Sequence, residues 1–163
     1  MIGRLGAAGC LALALLVMAA SAPAQAQQVV HGADSLFVAP TVKIAWAVQK
    51  GASEDATTVV VRIVNSAGAY RHVRLDGVDP FSKSRKVLVP VRPLAGQIDL
   101  SVPRSGFAEY PSCEMHFYRG EAPPADETPS LTVYYLGVPD TTPEFPTAQA
   151  AQASLATMLG LAK

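Results

Sequence analysis

Alternation of apolar and polar residues with a period of two runs through segment after segment of this chain, and it constrains the fold more than any other feature. Val42, Ile44, Trp46 and Val48 alternate with Lys43, Ala45 and Ala47, and Ile98, Leu100 and Val102 alternate with Gln97, Asp99 and Ser101. Successive side chains of a strand point to opposite faces, so such a segment buries one face and leaves the other polar. Segments 42–48, 57–64, 70–75, 85–91, 97–102, 113–118 and 131–138 read as strands. Turns are expected at 65–68, Asp76-Gly77, 93–96 and in the Pro-rich stretch 120–130. Strands in series with no helix between them predict an all-β fold, a single antiparallel β-sandwich of about seven strands.

Parity then assigns faces. In the sixth segment Cys113, Met115 and Phe117 share one side, and Glu114, His116 and Tyr118 share the other. Burying the second set unpaired is the costlier choice, so the first set points into the core. Val59, Val61 and Ile63 face inward against Val60, Arg62 and Val64, a nearly continuous apolar run that suits a central strand. Pro90 lacks a ladder donor and makes the fourth strand an edge.

Seven strands with an inward cysteine on the sixth resemble immunoglobulin domains in architecture. An antibody-type domain would pair that cysteine with one on the second strand and stack a third-strand Trp on the bridge. Here the second strand offers Val59, Val61 and Ile63, the single Trp is Trp46 on the first, and Tyr110 precedes Cys113 by three residues, not two. The expectation is an immunoglobulin-like architecture without a disulfide, and an architecture alone carries no function.

The two ends of the chain depart from this pattern. Residues 1–26 open with Arg4, continue through an uncharged run from Ala7 to Ala20 and end in Ser21-Ala22-Pro23-Ala24-Gln25-Ala26. That order predicts a secretory signal peptide cut after Ala26. The run falls short of the roughly 20 residues a span requires, and Cys10 precedes most of it, against a lipoprotein site. The mature chain 27–163 then holds a β-sandwich over 27–146, no transmembrane segment, and Cys113 as its single thiol. Export to the periplasm or the extracellular space follows, and abundant alanine with Asn65 as the single asparagine suits a GC-rich bacterial genome. Over 147–163, Ala148, Ala151, Leu155, Met158 and Leu159 fall at helical spacing with Gly160 as a stop, predicting a short amphipathic helical tail. The tail packs on its own domain, frays, or docks its Leu/Met stripe on another protein.

Basic and acidic residues number 13 each. That balance excludes the basic footprint of a dedicated nucleic-acid binder. Charge is nonetheless uneven: basic residues dominate between Arg62 and Arg104, acidic ones between Ser105 and Phe145. Lys83, Arg85, Lys86 and Arg92 near the edge strand discourage strand addition or meet an anionic partner. No G-x-S-x-G, H-E-x-x-H or phosphate-binding Gly-rich loop occurs, so no catalytic residues, cofactors or enzymatic activity are expected. Cys113, inward beside Met115 and Phe117, is a core residue, with an intermolecular disulfide as the alternative.

If the third, sixth and seventh strands are neighbours, Tyr70, His72, Arg74, Glu114, His116, Tyr118, Thr132, Tyr134 and Leu136 share one outer surface. Tyr and Arg are favoured binding anchors. The expected function is binding of another envelope or cell-surface component, protein or glycan, through this face. One alternative is a metal-binding or hydrolytic protein using His72, His116 and Glu114, since imidazole and carboxylate suit zinc or copper. Another is a structural subunit of a surface assembly.

Overall fold

The computed structural model describes residues 26–31, 36–39, 41–124 and 128–161 of the chain. The expected signal peptide therefore lies outside the described residues except for Ala26. Among the described residues there are ten strands: β1 Ala26–His31, β2 Leu36–Ala39, β3 Val42–Gln49, β4 Thr58–Asn65, β5 His72–Val78, β6 Arg85–Pro93, β7 Gly96–Pro103, β8 Ser112–Tyr118, β9 Leu131–Leu136 and β10 Glu144–Phe145. A 3₁₀ turn covers Arg104–Phe107, and helices α1 and α2 cover Val138–Thr141 and Ala148–Met158.

Sheet A runs in the order β1-β9-β8-β5-β6 and sheet B in the order β10-β3-β4-β7, with β2 also pairing β3. Neighbours are antiparallel except at two margins, where β1 lies parallel to β9 and β10 parallel to β3. The molecule is an all-β sandwich. The alternating segments of the sequence correspond to β3 through β9. Their inward residues, among them Ile44, Trp46, Ile63, Leu75, Met115, Phe117 and Val133, interlock between the sheets with essentially no exposure. Trp46 meets the edge of Tyr135 across the sheets at 5.1 Å between ring centroids. β4 is central in sheet B and β6 stands at the margin of sheet A, as Val59–Ile63 and Pro90 predict.

Three local expectations are corrected. Asp76-Gly77 is not a turn: β5 continues through it, and the chain reverses over residues 79–84 instead. Gly77 is required by packing, because a Cβ there would lie 2.7 Å from Cβ of Tyr110. Tyr70 precedes β5 rather than belonging to it, and its side chain joins the inter-sheet core against Phe117. The strand expected to reach residue 138 stops at Leu136, because Gly137 takes a positive φ of 59° and opens the short helix α1.

Helix α2 settles the fate of the tail. Thr147 caps it, its hydroxyl accepting from the Ala150 N–H at 3.1 Å, and it lies on the outer face of sheet B. Ala45 and Ala47, which parity assigns to an outer face, are fully covered because Ala151, Leu155 and Leu159 pack on them and on Val60. Alanines at these positions let the helix approach the strand closely. Polar groups also fix its position: Arg62 on β4 pairs with both carboxylate oxygens of Asp99 on β7 at 2.7 Å and also donates to Gln152 of α2. An isolated helix of this length is marginal in water, so its order derives from this docking.

Candidate binding face

The ladder of sheet A brings together most of the residues that parity places on its outer side. β5 and β8 pair with His72 opposite Tyr118, Arg74 opposite His116 and Asp76 opposite Glu114. β8 and β9 pair with Glu114 opposite Tyr134 and His116 opposite Thr132. The assumed adjacency of the third, sixth and seventh alternating segments is therefore present. The register fixes which side chains can touch.

The touching groups form a row in which two arginines and two carboxylates flank an imidazole. Arg74 Nη2 donates to Asp76 Oδ2 at 2.6 Å. Nε2 of His116 lies 3.3 Å from the same oxygen and 3.4 Å from Glu114 Oε2. Glu114 in turn pairs with Arg85 of β6, Nη1 to Oε2 at 2.9 Å and Nη2 to Oε1 at 3.0 Å. Both groups facing Nε2 are carboxylate oxygens, and neither meets it in the geometry of a directed hydrogen bond. Nδ1 of His116 is 3.0 Å from the Thr132 hydroxyl, which fixes the ring plane.

Burial divides this row into a floor and a rim. Asp76, Glu114, His116 and Thr132 are buried, whereas the Arg74 and Arg85 side chains keep 33% and 57% of their exposure. Burial alone would favour protonated Asp76, but the contacts with His116 and Arg74 outweigh it and hold its pKa below the ordinary value. Each guanidinium is thus fixed at one end by a buried carboxylate while its side chain keeps part of its surface in solvent, although Nε of Arg74 is itself buried. Beside Arg85 a cleft of about 240 Å³ is lined by Val78, Lys83, Arg85, Glu114 and Tyr134. A larger cleft of about 450 Å³ lies by the 3₁₀ turn, but its Arg104 is already engaged by Glu144 and Glu54.

Of the residues expected on the face, Arg74, Glu114, His116 and Tyr134 come together around this row. Tyr70 lies in the core. His72 and Tyr118 are on the face but buried, at 5% and 3% exposure, so neither offers a side chain to an incoming partner without rearrangement. His72, His116 and Glu114 do not assemble as one set of ligands. His72 lies opposite Tyr118, outside the charged row, and the position beside His116 belongs to Asp76. Among the described residues no group of three or more His, Cys, Asp or Glu is placed to hold a metal ion.

Sequence reasoning missed Asp76, hidden by its Asp-Gly context, and placed Arg85 in a basic edge block that discourages strand addition or meets an anionic partner, not beside Glu114. The parity of β5, once extended past Leu75, would have found Asp76. The reach of Arg85 to Glu114 leaves no mark in the alternation. Cys113, fully buried and unpaired, has its thiol pKa pushed up by burial and by the neighbouring Glu114 charge, which removes it as a nucleophile.

The fold and face together define an all-β sandwich with a polar, ion-paired outer surface on one sheet and a helix covering the other. Comparison with protein-family models, curated proteins and solved structures finds no match.

Proposed function

We propose that this protein is an exported, non-enzymatic binding module that engages another envelope or cell-surface component, a protein or a glycan, at the Arg85 and Tyr134 end of sheet A. The carrying observation is the division of the charged row into a buried floor and an exposed rim. Buried carboxylates fix Arg74 and Arg85 before any ligand arrives, so less side-chain freedom is lost on binding. The cleft presents two cations, a carboxylate and a phenol, a set that hydrogen-bonds to hydroxyl-rich or mixed-charge surfaces. The absence of a catalytic reading rests on the same groups: His116 is held by Asp76, Glu114 and Thr132, and Cys113 is sealed in the core.

Export is supported by the order of features in residues 1–26, and β1, starting at Ala26, would survive a cut after that residue almost intact. N-terminal sequencing of the protein released from cells should begin at Gln27, and a chain retaining Met1 in the extracellular or periplasmic fraction would refute processing. The binding reading is tested by affinity recovery from the native envelope, alongside immobilised glycans, with wild type and an Arg85→Ala/Tyr134→Ala variant. Recovery should fall by at least about tenfold, since anchor residues each contribute more than about 1 kcal/mol. Equal recovery by a variant that melts like the wild type removes the face from consideration.

A further inference from the structure

The β5–β6 hairpin ends in a turn that exposes a large apolar side chain. Phe81 is 93% exposed at its tip. Single exposed apolar residues are common on protein surfaces, but this one is held in a fixed conformation. The Asp79 carboxylate accepts from the Phe81 N–H at 2.9 Å and from the Ser82 hydroxyl at 2.5 Å. The backbone closes below it, with Asp79 N–H donating to Ser84 O at 3.0 Å and Lys83 N–H to Asp79 O at 2.9 Å. These bonds fix the backbone that carries Phe81 at the tip of the hairpin.

Basic residues outnumber acidic ones around the tip, two lysines to one aspartate. Lys83 occupies a positive φ of 61°, a conformation glycine adopts without strain, so the turn keeps a cation where a smaller residue fits better. Elsewhere the basic residues are largely spent: Arg62, Arg71, Arg74, Arg85 and Arg104 all enter ion pairs. Lys83 and Lys86 enter none among the described residues, and Val87 next to them is 53% exposed. The one acid of the turn, Asp79, is engaged by the turn itself.

We propose that this hairpin tip docks on anionic membrane surfaces, Phe81 entering the headgroup layer while Lys83 and Lys86 meet lipid phosphates. An aromatic ring at headgroup depth flanked by ammonium groups is the pattern by which peripheral proteins lie on a bilayer without spanning it. Lysine suits the task, being a compact point charge for phosphate. Binding is weak for one tip, and its role is to hold the sandwich beside the envelope components that the sheet A cleft engages. Lys83 lines that cleft as well, but Phe81 and Lys86 do not, so a reporter at Phe81 reads the tip and recovery with the Arg85→Ala/Tyr134→Ala variant reads the cleft.

The single tryptophan, Trp46, is fully buried and its emission is insensitive to the surface. Phe81→Trp therefore adds a reporter at the tip alone, unaffected by any other apolar segment of the chain. Its emission should shift to the blue when vesicles of phosphatidylcholine with phosphatidylglycerol are added, and should not move with phosphatidylcholine alone, glycerol phosphate or polyglutamate. Adding Lys83→Glu and Lys86→Glu should weaken the response by at least about twentyfold, at about fivefold for each cation removed. Half-molar salt should act in the same direction. No shift with anionic vesicles, a shift that survives charge reversal, or a shift with polyglutamate in place of vesicles overturns the proposal, the last by pointing to an acidic protein.

Discussion

Leu155→Ala tests whether helix α2 is an integral layer of the fold or a loose tail. The leucine is fully buried between the helix and the outer face of sheet B, in a cluster with Ala45, Ala47, Val60, Ala151 and Leu159. Burying a leucine stabilises by about 1.5–3 kcal/mol, and truncation leaves a cavity that brings Leu→Ala losses to about 2–5 kcal/mol. Because α2 packs at the surface and can settle inward, the lower part of that range applies, about 2–3 kcal/mol. For a chain of this size each kcal/mol moves Tm by about 2–4 °C, so the midpoint should fall by about 4–12 °C. Thr157→Ala, an exposed position on the same helix, serves as the control and should move Tm by no more than about 2 °C. Amide exchange adds the location: protection of 148–158 should drop further than that of β4. A Leu155→Ala midpoint indistinguishable from the control would show that the helix contributes no packing and would refute the docked arrangement.

Acid should destabilise the fold through two aspartates. Contact with His116 and Arg74 overcomes burial to lower the Asp76 pKa, and the hydrogen bonds from Arg62 lower that of Asp99 against its own desolvation. The unfolded chain then binds more protons, so their stabilisation is complete above the ordinary aspartate value of about 3.9 and is lost as pH falls through the lower folded values. Thermal melts between neutral pH and pH 2 should show this loss, and Asp76→Asn with Asp99→Asn should flatten it; a profile unchanged by both substitutions would refute the assignment. Cys113 should resist thiol reagents in the native protein and react stoichiometrically in denaturant, and rapid native labelling would contradict its burial. Gly77→Ala should cost about 1–3 kcal/mol by driving a Cβ into Tyr110, read as a lowered denaturation midpoint; a neutral outcome would mean that the Tyr110 segment yields freely.

Much of the fold was legible because its strands are half-buried and alternate. Cys113, Met115 and Phe117 can sit on only one side of β8 if Glu114 and His116 are to reach partners, and the ladder places them so. Alternation fails where a face is buried by something other than the opposite sheet. Ala45 and Ala47 look like solvent positions until α2 covers them, and small apolar residues on an outer face are the trace that such a cover leaves. His72 and Tyr118 likewise belong to the expected face yet are buried there. β10 spans two residues, too few for any period to register. The site was readable by residue type and strand but not by contact, since the reach of Arg85 to Glu114 depends on side-chain length across strands and not on sequence spacing.

The parallel pairing of β1 with β9 has a consequence for how the chain becomes a protein. The first strand of the fold waits for the last long one, so sheet A cannot close until residues 131–136 have left the ribosome. Contacts of such sequence separation form slowly. A nascent chain lacking them has an open margin at β8 and no partner for β1. This order of assembly postpones the native state until synthesis is nearly complete.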